Sequence, residues 1–135
     1  MPCPLIYNGA NGEMVTGWYK VKGKWMYHNP KTGKAVQKWN KIGGKWYYFS
    51  PYKKQLVTGE APFPYYKVTG CIMQTGWKKV SGKWYYLGSN GVMRTGWQKI
   101  SGKWYYFGGN GVMRTGTVKI GNKTYRFKPN GVWVG

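Results

Sequence analysis

Apolar and polar positions alternate along this chain in short runs, and the pattern is clearest from Thr95 to Arg114, TGWQKISGKWYYFGGNGVMR. Two β-prone runs, Gly96–Ile100 and Lys103–Phe107, flank the pair Ser101-Gly102. Two such runs around a two-residue turn containing Gly predict a β-hairpin, because the turns that match strand twist need positive φ. No apolar period of 3.6 is present, so no helix is expected. The preceding twenty residues, Thr75 to Arg94, TGWKKVSGKWYYLGSNGVMR, nearly repeat the sentence. A unit this short cannot bury a core by itself and must become stable by stacking on its neighbours.

Extending the pattern both ways predicts about six hairpin units in one all-β repeat solenoid over residues 1–135. The first carries Trp18 and Trp25 around Lys22-Gly23, and the second Trp39 and Trp46 around Gly43-Gly44. The fourth and fifth are the clear pair, and the sixth ends in Lys123-Thr124-Tyr125-Arg126-Phe127. The third, residues 58–74, holds Pro62 and Pro64 where strands should be. Proline cannot donate to a ladder, so this unit is expected to be a bent or truncated hairpin. It is either a joint between two lobes or a plain degenerate repeat.

Pairing around Ser101-Gly102 divides the hairpin into two faces. One carries Trp97, Lys99, Trp104 and Tyr106, the other Gln98, Ile100, Lys103, Tyr105 and Phe107. In the sixth unit the second face survives as Val118, Ile120, Tyr125 and Phe127, while the first becomes Thr117, Lys119, Thr124 and Arg126. On one reading the Ile/Tyr/Phe side holds the repeats together and the Trp/Trp/Tyr side meets a ligand. On the other, the Trp face packs on the next repeat and the last unit is a polar cap. Aromatics lining crevices between successive hairpins would satisfy both.

Composition sharpens this picture. Aromatic residues make up 19% of the chain, and nine Trp replace the aliphatic core that a short repeat lacks. Twenty-two Lys and Arg face only Glu13 and Glu60, for a net charge of +20, which draws the protein to polyanions. The same imbalance argues against catalysis, since acid–base and nucleophilic chemistry need paired carboxylates or an oriented His. The sole histidine, His28, stands where other units place Phe or Leu and is expected to be a packed or surface ring, not a metal ligand. Cys3 and Cys71 show neither metal-ligand spacing nor a disulfide framework, so their pairing is not expected. No apolar run approaches the roughly 18 residues of a membrane span. The opening MPCPLIYNGANG lacks a signal-peptide pattern, so the chain is expected to be either intracellular or a module of a larger secreted protein.

The Thr-Gly-Trp, the Gly turn, Lys-Trp-Tyr-Tyr-Phe or Leu, and Asn-Gly-Val-Met-Arg-Thr-Gly-Trp together resemble the cell-wall-binding (choline-binding) repeats of Gram-positive surface proteins, autolysins and phage lysins. The resemblance covers essentially the whole chain and is weakest in the third unit. It implies a left-handed superhelix of hairpins with ligand sites between consecutive ones, no catalysis, no cofactor and an extracellular or wall-associated place. It also implies that two Trp of one repeat and the second Tyr of the next box a choline quaternary ammonium. Carried over, these are Trp18, Trp25 and Tyr48, and Trp77, Trp84 and Tyr106. Trp39 and Trp46 would need Tyr66 of the degenerate unit. Trp97 and Trp104 would face Arg126 and be left without a cation box. Met93 and Met113 would pad the walls.

Such boxes work by cation–π attraction and exclusion of water. Because a +20 chain repels a free cation, a two-part grip is expected, with rings on choline or sugar and lysines on the phosphates of phosphocholine-bearing teichoic acid. The nearest alternative is a wall or extracellular polysaccharide stacked on the Trp faces, as in related repeats of glucan-binding enzymes and clostridial toxins. Single-stranded nucleic acid, gripped by stacking and phosphate neutralisation, is a third and less favoured reading. A purely adhesive stalk would not need its Trp faces. Homodimer formation is left open by the residues.

Overall fold

The structure is a computed structural model that describes residues 16–21, 23–51, 56–58, 66–68 and 71–135. All elements among them are strands: β1 (Gly17–Val21), β2 (Lys24–His28), β3 (Lys38–Ile42), β4 (Lys45–Pro51), β5 (Leu56–Thr58), β6 (Tyr66–Val68), β7 (Cys71–Met73), β8 (Gly76–Val80), β9 (Lys83–Leu87), β10 (Gly96–Ile100), β11 (Lys103–Phe107), β12 (Gly116–Ile120) and β13 (Lys123–Phe127). Five regular hairpins result, β1–β2, β3–β4, β8–β9, β10–β11 and β12–β13, with the shorter pair β5–β6 between the second and third. The register of the fifth unit is the one the turn predicts, with Trp97 opposite Tyr106, Gln98 opposite Tyr105 and Lys99 opposite Trp104.

The turns explain the sequence at their tips. Ser81 and Gly82 both take positive φ, 51° and 79°, as do Ser101 and Gly102 at 52° and 80°. Two central residues with positive φ twist the strands in the sense a hairpin requires. Each hairpin also opens on a residue of positive φ opposite a large side chain that ends the second strand. Gly76 (φ 77°) faces Leu87 and Gly96 (φ 73°) faces Phe107. In the second hairpin the same place holds Lys38, with φ 62°.

The chain divides into two compact units, Met1–Gln74 and Thr75–Gly135. In each, the core is built largely on side chains at or near the ends of second strands, with Met26, Cys71, Ile72 and Ile100 buried beside them. His28, Phe49, Leu87, Phe107 and Phe127 are all buried. Each apolar one contributes about 2 kcal/mol by leaving water, so a repeat with one such residue depends on its neighbours. His28 is packed, as expected, and its Nδ1–H donates to the carbonyl of Gly33 at 2.9 Å.

The connectors hold neighbouring hairpins together. After β11 the chain turns through Gly108–Gly111, with the Val112 N–H on the Asn110 side chain at 3.1 Å. It then runs back, the Arg114 N–H donating to the Tyr106 carbonyl at 2.8 Å and the Met113 N–H to the Trp84 carbonyl at 2.9 Å. The next connector does the same, Trp133 N–H to Trp104 carbonyl at 2.9 Å. These two connectors are thus bonded both to their own hairpin and to the preceding one. Gly111 and Gly131 have positive φ, which favours glycine, and the Met93 and Met113 side chains of the preceding connector lie against them.

Two expectations are corrected. The segment 58–74 does take part in a short antiparallel pair, as a truncated hairpin would, but it is not a repeat unit in line with the others. Leu56–Thr58 pairs with Tyr66–Val68, whereas Cys71–Met73 adds to β4, with Met73 opposite Phe49. That is the place of Met93 opposite Leu87, and the Gln74 N–H donates to the Tyr48 carbonyl as that of Arg94 does to Tyr86. Cys71-Ile72-Met73-Gln74 is therefore the connector of the second hairpin, and β5–β6 is inserted into it. The second correction concerns Cys71, which is fully buried and disulfide-bonded. The chain's other cysteine, Cys3, lies outside the described residues. Pairing of distant cysteines is set by the fold, and the connector register that buries Cys71 beside Phe49 is invisible in residue spacing.

Candidate aromatic crevices between hairpins

The two Trp of a hairpin lie on one face and form two walls at nearly right angles. Trp77 and Trp84 have ring centroids 6.2 Å apart at 84°, and Trp97 and Trp104 stand 6.3 Å apart at 79°. In the first unit Trp18 and Trp25 repeat this at 6.1 Å and 88°. The inner ring of each pair is braced by a cross-strand tyrosine of its own hairpin. Tyr86 lies 5.2 Å from Trp77, Tyr106 lies 5.3 Å from Trp97, and Tyr48 lies 5.1 Å from Trp39.

The third wall comes from the next hairpin and is its first tyrosine. Tyr105 meets Trp77 at 4.9 Å, Tyr125 meets Trp97 at 5.0 Å, and Tyr47 meets Trp18 at 4.9 Å, each ring pair inclined by 69–70°. The buried Phe107, Phe127 and Phe49 back the same Trp rings at 5.8, 5.6 and 5.9 Å. Within each unit the Tyr/Phe face of one hairpin thus packs on the Trp/Trp face of the hairpin before it. Crevices between hairpins join the two readings left open by the face pattern.

Several sequence assignments change accordingly. Tyr48 and Tyr106, expected as third walls, instead brace the Trp of their own hairpins, because adjacent strand residues point to opposite faces. Arg126, expected to face Trp97 and Trp104, pairs with Thr117 on the other side of its strand and is exposed. Of the fourth walls, Met113 is where the residues led one to expect it, and Trp133 was not identified. Met113 lines the Trp77–Trp84 crevice, together with Pro129 and Asn130, around a cavity of about 380 Å³. Trp133 lines the Trp97–Trp104 crevice, whose cavity is about 270 Å³. The signal for Trp133 is its place in Asn130-Gly131-Val132-Trp133, which aligns with Asn110-Gly111-Val112-Met113. Met93, expected to pad a wall, lies against Gly111. Of the second hairpin's site, Trp39 is half-buried and Trp46 exposed, while only the backbone of Tyr66 is described.

These crevices suit a compact group that offers positive charge and little polarity. Ring faces are electron-rich, and the outer Trp of each pair leaves the mouth open, with Trp84 and Trp104 each 40% exposed. The surroundings are cationic. The Lys20 ammonium lies 5.6 Å from the Trp25 ring centre and that of Lys79 lies 5.9 Å from Trp84. Among the described residues no group of three or more His, Cys, Asp or Glu could hold a metal ion. No helix there is long and apolar enough to cross a membrane.

Residues 74–113 and 94–134 match the family described as the choline-binding repeat, and residues 16–31 and 37–51 match one described as a cell wall binding repeat. Among solved structures, choline binding protein F of Streptococcus pneumoniae is 36% identical over 97% of this chain and 38% of its own, with a TM-score of 0.79. The same protein in the presence of a peptidoglycan analogue, a tetrasaccharide-pentapeptide, gives a TM-score of 0.78. The modular Cpl-1 endolysin complexed with a peptidoglycan analogue is 26% identical over 98% of this chain and 38% of its own, with a TM-score of 0.53. This chain therefore spans well under half the length of these proteins. Curated protein sequences give no significant match.

Proposed function

Because this chain belongs to the choline-binding repeat family, we propose that it is a wall-targeting module without chemistry of its own, holding choline groups of a cell-wall polymer in the crevices between its hairpins. It acts outside the membrane at the cell wall, as a module of a larger surface protein or lysin. Each of its two compact units contributes crevices of its own. The observation that carries this reading is the recurrence of one three-ring geometry, two Trp at right angles closed by the first Tyr of the next hairpin, at Trp18, Trp77 and Trp97. Packing alone does not need a cavity between those rings, whereas a trimethylammonium group does.

The lysines extend the grip. Lys79 stands over the Trp84 ring and Lys83, Lys99 and Lys103 are exposed on the same hairpins, where phosphocholine-bearing teichoic acid offers them phosphates along the chain that carries the ammonium groups. Each site is weak, and several on one module gain avidity from a repeating polymer. The test is elution from purified cell walls. Millimolar choline should release the protein, with glucan or galactan oligosaccharides ineffective at equal concentration. Release by the sugars and not by choline would identify a polysaccharide-binding repeat instead.

A further inference from the structure

We infer that the two crevices of the second unit are unequal sites, and that Trp133 makes the Trp97–Trp104 crevice the stronger holder of a quaternary ammonium. The inference rests on the reading of these crevices as cation sites. Their first three walls are nearly the same in spacing and inclination, so a difference between them must come from what else surrounds the ligand. Two features differ.

The first is the fourth wall. The backbone places Met113 and Trp133 identically, each N–H donating at 2.9 Å to the carbonyl of the outer Trp of the crevice. One connector therefore supplies a thioether and the other an indole, 5.7 Å from Trp97 at 75° and 6.4 Å from Tyr125. With Trp133 the crevice is lined by four aromatic residues around about 270 Å³, against about 380 Å³ where Met113, Pro129 and Asn130 complete the lining. A fourth ring face adds cation–π attraction.

The second is charge at the rim. Lys79 holds its ammonium 5.9 Å from the Trp84 ring centre, placing a like charge beside any cation in the Trp77–Trp84 crevice. Lys99, at the same register position opposite Trp104, is exposed and forms no such ring contact. Both features act in the same direction. The Trp77–Trp84 crevice, larger and with an amide at its edge, is the more tolerant of a bulkier or more polar group.

The test uses the whole chain labelled with 5-fluorotryptophan and titrated with tetramethylammonium chloride, following each Trp by ¹⁹F resonance. Trp104 and Trp133 should reach half-shift at a concentration about fivefold lower than Trp77 and Trp84, about 1 kcal/mol of preference. Trp133→Met should bring the two midpoints together, Trp133→Phe should keep most of the difference, and Lys79→Gln should narrow it from the other side. Equal midpoints in the unsubstituted protein, or a difference untouched by Trp133→Met, overturn the inference while leaving the crevices as cation sites. Absence of any Trp shift at saturating tetramethylammonium overturns the cation reading itself, and the inference with it.

Discussion

At the scale of single residues, Lys38 is the place where the chain departs most plainly from its own rule. The four corresponding residues, Gly17, Gly76, Gly96 and Gly116, have φ between 72° and 77°, and a Cβ built on any of them meets nothing within 4 Å. Glycine is used there for its backbone, not for space. Lys38 adopts φ 62° with a side chain present, at a cost of about 1 kcal/mol. Lys38→Gly should therefore raise the stability of the first unit by about 1 kcal/mol in urea unfolding, partly offset by the greater freedom of the unfolded chain. A loss of stability would mean that the lysine side chain contributes more than its backbone costs. The loss of Thr-Gly before Trp39 was legible in the sequence. Its consequence was not, because the need for positive φ appears only once the strand is placed opposite Phe49.

At the scale of elements, hairpin existence, turn position and strand register could all be read from Lys-Gly, Gly-Gly, Ser-Gly and Gly-Asn pairs between alternating runs. Alternation tells which residues share a face, and Trp97 with Trp104, or Tyr105 with Phe107, were grouped correctly. It does not tell which face of one hairpin meets which face of the next. That is why Tyr106 was expected in a crevice that Tyr105 closes, and why Trp133, on a connector and not a hairpin, was missed. The same arrangement separates the roles of the two Trp in a pair. Trp77 is packed on Tyr86, Tyr105 and Phe107, whereas Trp84 touches the array mainly through Trp77. Trp77→Ala should cost the second unit about 2 kcal/mol, while Trp84→Ala should cost under about 1 kcal/mol. Both should abolish ligand binding in that crevice. Chemical denaturation beside a ligand titration separates the two effects, and equal stability losses would contradict the packing described.

At the scale of the molecule, a net charge of +20 and an array of cation-accepting crevices pull in opposite directions for a free ligand and together for a phosphate-bearing polymer. Raising salt from roughly 50 to 300 mM shortens the screening length from about 14 to 6 Å. Retention on walls should then weaken severalfold, because lysine–phosphate attraction is screened. Affinity for free choline should not fall, because the repulsion between protein and ligand is screened as well. Wall retention indifferent to salt would remove the lysines from the mechanism and leave the rings. The family and the all-β repeat were legible from two tandem copies. The insertion between the second and third hairpins was not, because Cys71-Ile72-Met73-Gln74 matches the connectors only in pattern, with Cys and Gln in the places of Gly91 and Arg94.

The most direct measurement is a calorimetric titration of the whole chain with choline, set beside Trp84→Ala and Trp104→Ala, whose exposed rings can be removed with little loss of packing. Choline should bind with a stoichiometry above one, each substitution should remove one equivalent, and glucose oligomers should give no heat. Choline without measurable heat, together with oligosaccharide binding that the same two substitutions abolish, would contradict the account.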